Sequence, residues 1–71
     1  MKAEQMFKAL GYERWKYVIN DNIIRITYRK GKSRITFNSK VKGISSYNGV
    51  YLTKDNLPAI NQQMKELGWI E

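Results

Sequence analysis

The chain has no cysteine, no histidine, a single proline and six acidic residues against thirteen basic ones. Without cysteine no disulfide can staple the fold, and without Cys or His the usual zinc ligand sets are missing. The lack of histidine also removes the side chain best suited to proton transfer near neutral pH. The carboxylates are scattered, with no two spaced to pair on one element. Ser33, Ser39, Ser45 and Ser46 have no base partner, and no glycine-rich phosphate loop precedes a helix. An enzyme, a metal site and a cofactor are therefore not expected. Long apolar runs are missing too. The start MKAEQMFKAL is too polar for a secretory signal, and nothing approaches the ~20 apolar residues of a membrane span. The expectation is a cytoplasmic protein with no membrane role.

What is present is a short, basic chain. Its 71 residues suit one domain, 1–71, that buries only ~60% of the surface its unfolded chain exposes. Forming a homodimer is one way to supplement so small a core. The formal charge of +7 is concentrated in the middle. Residues 14–42 carry nine of the basic side chains and only Asp21 on the acidic side, while the two flanks are close to neutral.

Apolar periodicity gives the elements. Ala3, Met6, Phe7 and Leu10 recur at helical spacing before Gly11, and Leu57, Ile60, Met64 and Leu67 do so before Gly68. Both segments end Leu-Gly-aromatic, the pattern of a Schellman stop in which the aromatic folds back onto the last turn. Thr53, Asp55 and Asn56 are all candidate caps of the second helix. Pro58 favours Asp55 or Asn56, which place it among the first-turn amides that need no helical partner. Between the helices the period becomes two. Trp15, Tyr17 and Ile19 share a face, as do Ile24, Ile26 and Tyr28, and Ile35 and Phe37. Asp21-Asn22 and Gly31-Lys32 read as hairpin turns and Asn48-Gly49 as a third turn, with an edge strand expected over Val41 to Tyr47. The fold class is α+β: helix, three- to four-stranded antiparallel β-meander, helix, with both helices on the sheet face of Trp15, Tyr17, Ile26 and Phe37.

Two-residue turns fix two registers. Around Gly31-Lys32, Arg29 faces Arg34, Tyr28 faces Ile35, Thr27 faces Thr36 and Ile26 faces Phe37. Around Asp21-Asn22, Tyr17 faces Ile26, Trp15 faces Tyr28 and Arg14 lies beside Arg29. The outer face then carries a row of Arg14, Arg29 and Arg34, followed by Lys16, Thr27, Thr36 and then Val18, Arg25, Asn38. Like charges opposite one another cost roughly 0.2 to 1 kcal/mol per pair. Such a row is either splayed into solvent and screened, or it awaits an anionic partner, an acidic protein or the phosphates of a nucleic acid. With Trp15, Tyr17, Tyr28 and Phe37 assigned to the apolar face, base stacking is not expected, and a groove-facing or phosphate-tracking contact with duplex is the form that fits. The candidate binding residues are Arg14, Arg25, Arg29 and Arg34 for direct contacts and Lys16, Lys30 and Lys32 for general attraction. The alternative is a homodimeric structural or protein-interaction module with no nucleic-acid role.

The element order is also that of double-stranded-RNA-binding domains. Their Lys-Lys-x-Ala-Lys-like cluster and Gly-Pro-x-His loop have no counterpart here, because the last helix starts Asp55-Asn56-Leu57-Pro58 and histidine is lacking. The start AEQMFKALGY, the ending LPAINQQMKELGWIE and the Lys/Ile/Tyr-rich stretch between them resemble small proteins of Firmicutes and their prophages, including the YopT family of Bacillus prophage. That resemblance implies a small α+β unit that forms homodimers, with no assigned activity and no functional residues to carry over.

Overall fold

The computed structural model describes residues 1–20, 23–48, 50 and 52–71, and for residues 16–20 the backbone only. Helix α1 (Ala3–Ala9) is followed by β1 (Glu13–Asn20), β2 (Ile23–Lys30), β3 (Ser33–Asn38), β4 (Gly43–Tyr47) and helix α2 (Leu57–Glu66). The strands form one antiparallel sheet in the order β1-β2-β3-β4, so each pairs with its neighbour in sequence. Both helices contribute to a core on one sheet face, as expected. Neither described helix is long and apolar enough to cross a membrane.

The helices stop where the Leu-Gly-aromatic signals place the stops. Gly11 at φ 96° and Gly68 at φ 77° take the left-handed conformation that glycine tolerates. The Tyr12 amide donates to Phe7 O at 3.0 Å and the Gly11 amide to Lys8 O at 2.9 Å. Trp69 donates to Met64 O at 2.9 Å and Gly68 to Lys65 O at 3.0 Å. These are the paired bonds of a Schellman motif, and the Tyr12 ring closes edge-on against Phe7 at 5.6 Å. At the start of α2, Asn56 is the N-cap position and Pro58 falls in the first turn. Side-chain capping is one turn earlier. Thr53 Oγ1 accepts from the Asn56 amide at 3.3 Å, and Asn56 Oδ1 accepts from the Thr53 amide at 2.8 Å. Asn56, one of the two caps that Pro58 favours, thus holds the N-cap position, and Thr53 exchanges reciprocal side-chain bonds with it.

Hairpin β2–β3 has the expected register. Arg29 faces Arg34, Tyr28 faces Ile35, Thr27 faces Thr36 and Ile26 faces Phe37. Gly31 at φ 59° opens the turn. Hairpin β1–β2 departs from expectation. Asn20 pairs with Ile23, as a two-residue turn requires, but the ladder shifts between Val18 and Asn20 and leaves Ile19 as an extra residue. From there on Arg14 is opposite Tyr28 and Trp15 opposite Thr27. A bulge of one residue reverses the face of every side chain beyond it. Trp15 therefore stands on the outer face, 47% exposed, rather than in the core, and Arg14 turns to the helix side. The expected orientations of Lys16, Tyr17, Val18 and Ile19, the turn Asp21-Asn22, Gly49 and Tyr51 lie outside the described side chains or residues. The edge strand is also shorter than expected, because Val41 and Lys42 belong to the preceding turn, Lys42 at φ 50°.

The core is Phe7 from α1, Ile26, Tyr28, Ile35 and Phe37 from the sheet, and Ala59 and Ile60 from α2. Tyr28 is its centre. Its ring stacks on Phe7 at 3.9 Å and meets Phe37 edge-on at 6.0 Å. Its hydroxyl donates a hydrogen bond to Oε1 of the buried Gln63 on α2. Burial pushes the Tyr28 pKa up to about 12, against the opposing charge of Arg14 and with added repulsion from Glu66 and Glu4. The helices are joined directly as well, since the carboxylate of Glu66 accepts the Ala3 amide at 2.7 Å. Desolvation works to raise the Glu66 pKa. The bonds from Ala3 and Gln62 and the charges of Lys2 and Arg14 outweigh it, and the net shift is downward.

Because Tyr28 holds its proton more tightly in the fold than in the unfolded chain, its contribution is fully present below about pH 10 and is lost as the pH rises toward about 12. Urea melts of Tyr28→Phe near neutral pH should show a loss of about 1–3 kcal/mol, the cost of leaving buried Gln63 without its donor. The same variant should lose less further stability than the parent chain on going to alkaline pH.

Candidate functional site

The sheet is covered by helices on one side only, so its other face is the broadest surface the strands present. Reading across from β1, its rows are Glu13, Arg29, Arg34, Tyr47, then Trp15, Thr27, Thr36, Ser45. A third row holds Arg25, Asn38 and Gly43. The face is dished into a trough of about 420 Å³ whose lining includes Trp15, Arg25, Arg29, Arg34, Thr36 and Asn38. Its floor is polar: the hydroxyls of Thr27 and Thr36 are hydrogen-bonded to each other at 3.1 Å across β2 and β3.

Three of the seven sequence-predicted residues come together here: Arg25, Arg29 and Arg34. Arg29 is doubly engaged. Its guanidinium lies 3.9 Å from the centre of the Trp15 ring, and one of its nitrogens is 3.1 Å from Oε2 of Glu13. Arg34 lies 5.8 Å from the centre of the Tyr47 ring, and among the described residues no carboxylate comes within ion-pair distance of it. The row of three adjacent arginines does not exist, since Glu13 occupies the place expected for Arg14.

The remaining candidates are elsewhere. Arg14 is on the helix side, paired with Glu4 of α1 at 3.2 Å and 6.0 Å from the centre of the Tyr28 ring. Lys30 also turns to that side. Its stem rests on Gly11, where an added Cβ would sit 3.2 Å from Lys30 Cε, and its ammonium is 5.8 Å from the centre of the Tyr12 ring. Lys32 is exposed in the β2–β3 turn, where its carbonyl accepts from Asn48 Nδ2 at 3.1 Å. The Lys16 side chain lies outside the described ones.

Besides Glu13, two residues on this face depart from expectation. Strict alternation along β1 places Trp15 in the core, and the one cue against it is the adjacent apolar pair Val18-Ile19, where the period of two breaks. Tyr47 is 61% exposed at the end of β4, and its pairing with Arg34 follows only from the β3–β4 register. The chemistry on offer is anion binding by forked guanidiniums beside two accessible aromatic rings. Among the described residues no three His, Cys, Asp or Glu side chains gather into a metal site. Comparison with known proteins finds no match for this chain among family models, curated sequences or solved structures.

Proposed function

We propose that this protein is a non-catalytic nucleic-acid-binding domain that uses the helix-free face of its sheet. The observation that carries this reading is the convergence of Arg25, Arg29 and Arg34 on one trough, in a chain with a formal charge of +7. Guanidiniums on neighbouring strands face a polyanion with their donor forks, and phosphate contacts of this kind dominate affinity. If these three arginines each neutralise one phosphate, log K should fall against log salt with a slope of about −2 on a single strand and about −3 on a duplex. Titration of a labelled oligonucleotide at several salt concentrations measures it, and no binding to either form at low salt would overturn the proposal. Replacing both Arg29 and Arg34 with Glu should abolish binding while circular dichroism shows the chain still folded, because both side chains lie on the uncovered face.

Glu13 competes for Arg29. Removing its charge by Glu13→Gln should tighten binding by about 1.5- to 5-fold, the range expected for freeing an exposed ion pair. Weaker binding by this variant would mean that Glu13 holds Arg29 in its working position.

A second reading, a homodimeric interaction module, is favoured by a different observation. Among the described residues β4 pairs on one side only, and its sequence GISSY has neither charge nor proline to discourage a second strand. Beside it lies an apolar groove of about 320 Å³ lined by Ile44, Val50, Leu52, Leu57 and Met64. On this reading sedimentation should give a dimer that Ile44→Lys dissociates and the Arg29/Arg34 double variant does not. A monomer across the accessible concentration range would remove it.

A further inference from the structure

Resting on the nucleic-acid reading above, we infer that the ligand is a single strand whose unpaired bases stack on Trp15 and Tyr47. A duplex is the poorer fit for two geometric reasons. Trp15 on β1 and Tyr47 on β4 are separated by three strand spacings, about 14 Å, which exceeds the ~12 Å width of a major groove. The sheet therefore cannot lie flat in the groove and bring both rings to base edges. The same separation is several times the ~3.4 Å step between neighbours along a strand of duplex. The two rings thus receive bases that are not adjacent and have left the stack, a state open to a single strand.

The chemistry between the rings suits such a ligand. Each ring carries an arginine from the adjacent strand: Arg29 at 3.9 Å from the Trp15 centre, Arg34 at 5.8 Å from the Tyr47 centre. In the free protein these guanidiniums occupy the positions that bases take. A base arriving on the indole displaces Arg29, whose fork is then available to the phosphate of the same nucleotide, and Tyr47 with Arg34 repeats the arrangement at the other side. Beside them in the trough, Thr27, Thr36, Asn38 and Ser45 supply uncharged donors and acceptors for base edges or sugar hydroxyls. Interleaved rings and cations over a polar floor are the recurring equipment of sequence-tolerant single-strand binding.

The test uses an oligothymidylate of about 12 nucleotides, within the range that one small binding domain covers, and a mixed-sequence duplex of matching length. With Trp69→Phe as background, Trp15 is the sole indole. The single strand should quench its fluorescence, and Trp15→Ala and Tyr47→Ala should each weaken single-strand binding by about 5- to 150-fold while circular dichroism shows both variants still folded. The duplex should bind more weakly and be indifferent to both substitutions. Should Trp69→Phe unfold the chain, affinities of the two alanine variants in the parent background decide the matter. Equal or tighter duplex binding, or alanine variants that bind the single strand like the parent, would overturn this inference while leaving the polyanion reading intact. Failure of both oligonucleotides to bind at low salt overturns the two together.

Discussion

Between Val18 and Asn20 the β1 strand carries one residue more than its partner, and both faces of this protein depend on that extra residue. Side chains alternate along a strand with a period of two, so one inserted residue exchanges inside and outside for everything beyond it. Here the exchange sends Trp15 to the uncovered face, where Arg29 lies over it, and sends Arg14 to the helix side, where Glu4 receives it. It also sets Glu13 opposite Arg29. Without the bulge, the outer row would hold three arginines and no acid.

The helix side is held by a different logic, in which Tyr28 joins all three packing partners. Its ring stacks on Phe7 of α1, it faces Ile35 across the hairpin, and its hydroxyl reaches Gln63 of α2. Glu66 adds a direct tie from the end of α2 to the first amide of α1. A domain this small buries too little surface to leave polar groups unmatched, so a buried phenol and a buried amide are tolerable because each satisfies the other.

The outer face manages its own repulsion. Arg29 opposite Arg34 costs roughly 0.2 to 1 kcal/mol, and an exposed cation–π contact returns about 0.5 to 1 kcal/mol. Trp15 and Tyr47 therefore offset the charge clustering by an amount similar to its cost, with Glu13 contributing at the strand edge. Arg29 and Arg34 are thereby kept on one surface beside their rings. Aromatic rings that stabilise the free sheet in this way are also the groups a base would meet first, which couples the fold's own balance to the proposed binding chemistry.

The amino-acid sequence by itself determined the helix ends, the β2–β3 register and the helix-strand-helix order, because each rests on a local cause: a glycine after Leu10 and Leu67, a two-residue turn at Gly31-Lys32, a change of apolar period. It also placed Arg25, Arg29 and Arg34 on one face, since all three depend on that one hairpin. The tertiary structure alone decided the neighbours of β1 and β4. Whether Val18 or Ile19 keeps the alternation is locally undecided, and the balance is struck by the whole sheet packing on Phe7, Ala59 and Ile60. Lys30 is off the site for a local reason, the alternation that sets it on the Tyr28 face of β2. Trp15, Tyr47 and Glu13 join the site, and Arg14 leaves it, for a reason that lies outside their own sequence neighbourhood: a strand's face is fixed by what its partner strands bury.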